Sequence, residues 1–155
     1  MDDIARVWHL IDDIDICIFV TRRGNDMHGR PMSTIGKRDE GRVYLLTDKN
    51  ASKDDEIERN GAVYLGYCKG PRHLSVNGTA DVSSDRALIK RLWNPGAQAF
   101  WPNGPDDPNV VAIIVTPHAA EYWDGPTGIV AGVKLAFAIA TGSTPDFGDN
   151  AKVAM

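Results

Sequence analysis

Residues 72–82 read RHLSVNGTADV, and their alternation sets the class of the whole chain. Leu74, Val76, Gly78, Ala80 and Val82 share one face, while Ser75, Asn77, Thr79 and Asp81 share the other. A period of two with one apolar side belongs to a strand lying on a core with its opposite face wet. The preceding run, AVYLGYC over 62–68, is a second strand of the same kind, and NVVAIIVT over 109–116 is the most apolar of all. Further strands are expected at 14–21, at 30–36 with Pro31 at its start, and at 42–47. Short polar turns separate most of them, which favours antiparallel neighbours. A closed or nearly closed barrel would remove the exposed edges of such a sheet.

Helical spacing occurs at the margins. Ile4, Val7, Trp8 and Ile11 line one face of an amphipathic helix over 2–12. Ser52 to Asp55 resembles a capping box opening a short helix that stops, left-handed, near Asn60-Gly61. Ser83 or Ser84 is expected to cap a helix carrying Leu88 and Leu92, followed by an ordered loop over 93–108 that holds Trp93, Phe100 and Trp101. Pro117 and His118 should bend the chain after 116. Val133, Ala136, Phe137 and Ala140 indicate a last helix ending at Gly142. One domain is expected over 1–142, with 143–155 a loose tail.

A net charge of −4 leaves no basic footprint, so nucleic acid is not an expected partner. Cys17 and Cys68 sit in apolar runs and read as two buried free thiols of a reducing compartment. No CxxC or Cys/His cluster suggests a metal site. The acidic start and the lack of a spanning apolar run lead us to expect a cytoplasmic protein with no membrane association.

The chemistry-bearing residues are few. Ser52-Lys53 opens a helix directly after a strand, where free N–H groups, the helix dipole and a lysine could hold an anion. Thr47 and Ser52 add hydroxyls, and Arg30 could reach the same place with a two-pronged grip. The same spacing also suits a plain cap, a solvated lysine and a loop arginine. The histidines His9, His28, His73 and His118 are scattered, and no nucleophile elbow or P-loop is present. Hard chemistry would have to come from a cofactor.

The order of the pieces is more specific than any one of them. Arg30-Pro31-Met32, Tyr44-Leu45-Leu46-Thr47, Ser52-Lys53, Asn60-Gly61-Ala62-Val63, Val76-Asn77-Gly78-Thr79-Ala80 and Glu121-Tyr122-Trp123-Asp124-Gly125 follow one another at sensible distances. This series resembles the pyridoxamine 5′-phosphate oxidase-like proteins, and within them the general stress protein 26 branch, over about residues 3 to 142. The resemblance implies a mainly β fold, a six-stranded antiparallel split barrel with peripheral helices. It implies a homodimer with flavin mononucleotide (FMN) at the interface. Carried over by position, Arg30, Ser52 and Lys53 would hold the FMN phosphate, and Met32, Ser33 and Thr34 would run beside the ring. Leu46 and Thr47 would touch the ring and ribityl chain, His73 would face the ring, and Trp123 would come from the partner subunit.

The implied role is an FMN-dependent oxidoreductase of general-stress type, its substrate and small-molecule electron donor or acceptor unspecified. The alternative is a flavin-binding store or sensor without turnover. Relatives with deazaflavin or haem suggest Lys37-Arg38 or His28, respectively, as further ligand residues. True pyridoxamine-phosphate oxidases carry an Arg-x-His-x-Arg-like segment after the tryptophan. Here Pro126 to Val133 contains neither Arg nor His, so a second phosphate would lack counter-charges, and that turnover is not expected.

Overall fold

The N-terminal amphipathic run forms helix α1 (Asp3–Ile14). The Asp2 carboxylate accepts from the Ala5 N–H at 2.7 Å and caps its start, and Asp15, left-handed at φ 57°, closes it. Val7, Leu10 and Ile11 are wholly buried, each stabilising the fold by about 1.5–3 kcal/mol. The computed structural model describes residues 1–126, 128–146 and 148–155.

Strands β1 (Ile16–Arg23), β2 (Asp26–Ser33), β3 (Ile35–Lys37), β4 (Arg42–Asp48), β5 (Ala62–Lys69), β6 (Arg72–Ser83), β7 (Val110–Asp124) and β8 (Asp149–Ala154) form one antiparallel sheet. Helices α2 (Ser52–Arg59), α3 (Arg86–Leu92), α4 (Pro95–Phe100) and α5 (Gly128–Thr141) lie in the connections. The strand order is β2-β1-β5-β6-β7-β4-β3, with β8 also on β7. The alternation of β6 is as the sequence implies: Leu74, Val76, Gly78 and Ala80 face the core that α1 covers. A smaller cluster on the other side packs Tyr44, Val110 and Ala112 against Ile89 and Leu92 of α3.

The mainly β antiparallel class is therefore present, but the sheet has eight strands, not six, and its ladder is not closed. The two ends of the main strand order are β2 and β3, which are consecutive in the chain with only Thr34 between them. The sheet must therefore curl until both edges meet at Thr34, and a seam runs between them. Pro31 is tolerated within β2 because that strand is an edge.

Several local expectations change. His28 lies on β2 and not on a loop, because the hairpin turn is confined to Gly24-Asn25. Ala51 is the N-cap of α2 and gives no side-chain bond, so Ser52 is the first helical residue. The helix ends on extended backbone at Asn60, and Gly61 serves close packing, since a Cβ there would meet the Ala80 carbonyl at 3.1 Å. Asp85, not a serine, caps α3. Pro117 and His118 do not end β7; a bulge opposite Asn77 and Gly78 absorbs them within one long strand. Gly78 is required there, because a Cβ would approach the Thr116 carbonyl oxygen to 2.5 Å. Cys17 is buried, but Cys68 is exposed, since Val63, Leu65 and Tyr67 take the inward positions of β5. The expected loose tail includes β8, which pairs with β7 beside the bulge. Among the described residues no helix is long and apolar enough to cross a membrane.

Candidate functional site

The seam between the sheet edges opens into a cleft of about 410 Å³. Ile16, Pro31, Met32 and Ser33 line it from the β1–β2 edge, and Ile35, Leu46, Thr47 and Asp48 from β3 and β4. Lys53 on α2 closes one end, and Asn94 to Trp101, including α4, form the remaining wall. Met32, Ser33, Leu46, Thr47 and Lys53, expected together from the sequence, are thus brought together. The volume lies within the usual range for small-molecule sites, roughly 300–1,000 Å³.

Lys53 is the cleft's cation. Among the described residues its ammonium has no ion-pair partner within 4.0 Å. Burial lowers its pKa, Arg30 nearby pushes the same way, and Asp54, Asp48 and Glu56 oppose the shift. A partly desolvated lysine of this kind is suited to an anionic ligand. The side chain of Ser52 lies outside the described structure, although its backbone opens α2.

Arg30 is engaged elsewhere. One guanidinium nitrogen donates to Thr21 Oγ1 at 2.8 Å, to the His28 carbonyl at 2.9 Å and to the Phe19 carbonyl at 3.3 Å. The other donates to Glu56 Oε2 at 3.0 Å and sits 2.9 Å from His28 Nδ1. Thr21 also donates to Glu56, and His28 Nδ1 lies 3.1 Å from Glu56 Oε1. Burial would raise the Glu56 carboxyl, but the bonds from Thr21, His28 and Arg30 outweigh it and hold the pKa at about 2. The cluster pins α2 to β1 and β2, and so positions Lys53 three residues before Glu56.

Thr34 does not line the cleft. It is buried at the seam, where its hydroxyl donates to the Asp15 carbonyl at 3.0 Å and pairs with the Tyr67 hydroxyl at 2.9 Å. His73 and Trp123 are register partners across β6 and β7. They line a second hollow of about 580 Å³ on the outer face of the sheet, with Ile18, Tyr64, Cys68 and Ser75. Within one chain they do not join Lys53. Phe100, Trp101 and Asp48, for which the sequence implies no site role, also line the cleft. For Phe100 and Trp101 the available signal is the aromatic cluster at 93–101.

A family model described as "Pyridoxamine 5′-phosphate oxidase like" matches residues 2–146. The chain belongs to this family. Among its relatives is general stress protein 26 of Bacillus subtilis, 29% identical over 117 residues that make up 72% of this chain and 81% of the relative. A candidate general stress protein 26 from Jannaschia sp. CCS1 superposes with a TM-score of 0.80 at 23% identity, covering 99% of this chain and 98% of the other. A general stress FMN/FAD binding protein from Xanthomonas citri has a TM-score of 0.68 at 22% identity, covering 76% and 85%. At these identities the two structures carry the fold, and family membership rests on the family match.

Proposed function

We propose that the chain is an FMN-binding flavoprotein whose cofactor lies in the seam cleft, and that it acts as an oxidoreductase of general-stress type. The observation that carries this reading is the convergence of Met32, Ser33, Leu46, Thr47 and Lys53 on one cleft. The donor set fits. Lys53 and the start of α2 offer charge and N–H groups for a phosphate, while Ser33 and Thr47 offer hydroxyls to a polyol chain. Ile16, Ile35, Met32 and Leu46 offer an apolar bed for a flat ring. Arg30 supports the phosphate site indirectly, because it spends its bonds on fixing α2 through Glu56. Bound FMN would supply the electron-transfer chemistry that the side chains lack. The fold shared with the general stress FMN/FAD binding protein of Xanthomonas citri supports a flavin.

The working unit in this proposal is a homodimer resembling a split barrel, joined through the outer face of the sheet. Ile16, Ile18, Tyr64 and Trp123 leave a large apolar surface there, with Trp123 42% exposed. Burying it against a second copy would bring Trp123 and His73 toward the partner's cleft. Two unpaired cysteines suit a reducing cytoplasm. Pyridoxamine phosphate is not the substrate in this reading, because Pro126 to Val133 offers no Arg or His for a second phosphate.

The test is the absorbance spectrum of the purified protein, with the pigment released by heat compared against FMN and FAD. Stoichiometric FMN supports the proposal. A colourless protein that takes up no added FMN overturns it.

A further inference from the structure

The wall facing Lys53 is aromatic, and no role has been assigned to it. Trp101 Nε1 donates to Asp48 Oδ1 at 2.7 Å, which fixes the indole at the cleft. Trp93 packs against it with ring centroids 6.2 Å apart and is held by its own bond to Gln98 at 2.8 Å. Phe100 also packs against Trp101, with ring centroids 6.0 Å apart and the rings tilted by 50°, yet remains 81% exposed. Asn94 accepts from the Ala97 N–H at 2.9 Å, so the turn of helix that carries Phe100 is itself capped. A large apolar ring is thus held at the mouth of a cleft with one side bare. Ala97, Ile35 and Ile16 continue the apolar lining, and the Asp48 carboxylate of β4 is engaged by Trp101.

We propose that Phe100 and Trp101 form a recognition platform for a flat, uncharged, fused-ring ligand. Aromatic pairs prefer tilted or offset contact and gain stability beyond buried area. A second phosphate would meet no cation among the described residues of this wall. Two sources supply such a ring: the isoalloxazine of a bound flavin, or a quinone-like ligand of the same cleft. The first rests on the flavoprotein reading; the second does not.

The experiment is equilibrium titration with riboflavin, FMN and menadione. Flavin fluorescence and tryptophan emission are the readouts, on wild type, Phe100→Ala, Trp101→Phe and Lys53→Ala. Phe100→Ala should melt like wild type, because its ring is largely in solvent. If the ring is the cofactor's, Phe100→Ala weakens riboflavin and FMN alike by about three- to tenfold. If it is a quinone's, the protein binds menadione, and Phe100→Ala weakens that binding alone. Menadione binding that depends on Phe100 in a protein that takes no flavin would sink the flavoprotein reading and leave the platform standing. Wild-type affinities for every probe in both aromatic variants would overturn the platform, even where Lys53→Ala loses FMN. Failure of wild type to bind any of the three would overturn both.

Discussion

Glu56 Oε2 accepts a hydrogen bond from Arg30 Nη2 at 3.0 Å, joining α2 to the edge strand β2. The pair explains why the helix that carries Lys53 sits where it does. It also explains why an arginine expected to grip phosphate instead grips protein. Glu56→Gln keeps the shape but leaves Arg30 without its counter-charge, and should destabilise the fold by about 1–3 kcal/mol. Urea denaturation at neutral pH measures this directly.

The same carboxylate gives the fold an acid-sensitive component. Its folded pKa of about 2 is below the ordinary 4.5. The stabilisation is complete above the ordinary value and is lost as pH falls toward about 2. Urea midpoints followed downward from pH 6 should fall through this window in wild type, and less steeply in Glu56→Gln.

Lys53 should control phosphate affinity. Lys53→Met is expected to weaken FMN by about ten- to a hundredfold, the worth of one or two charge-assisted bonds. Riboflavin, without the phosphate, should be nearly indifferent to the change. Because burial lowers the lysine pKa, FMN affinity in wild type should decline as pH rises toward that lowered value, before the ordinary 10.5. Lys53→Met should lack this slope.

Thr34 is a structural residue of the seam. Thr34→Val removes the hydroxyl shared with Asp15 and Tyr67 and should cost about 1–3 kcal/mol of stability. FMN affinity should be retained. A loss of flavin without a loss of stability would place Thr34 in the cleft after all.

The outer face should govern assembly. Ile18→Arg puts a charge on an exposed apolar position of β1 and leaves the core untouched. Light scattering should show wild type as a dimer and the variant as a monomer. A monomeric wild type would contradict the proposed assembly.

Much of the fold could be read from period and turn chemistry. The β6 alternation and the α1 stripe are local patterns, and their faces are buried as their spacing demands. The ordered motifs also led to the cleft residues Met32, Ser33, Leu46, Thr47 and Lys53. What could not be read is tertiary. Nothing local reveals that Glu56 would claim Arg30, since the partners lie 26 residues apart. The bulge at His118 depends on register with β6, and the pairing of β8 depends on the free flank of β7 beyond β4. Thr34 looked like its neighbours in sequence, yet the curl of the sheet turns it inward. The 93–101 wall carries no motif, and only its placement across the seam gives it a part.

Whether the seam cleft holds the flavin is decided by a fluorescence titration of flavin-free protein with FMN, comparing wild type with Lys53→Ala. Wild type should saturate near one FMN per chain, and the variant should lose affinity clearly with its melting temperature preserved. Equal affinity in both proteins, or no binding in wild type, would contradict the assignment of the seam cleft as the flavin site.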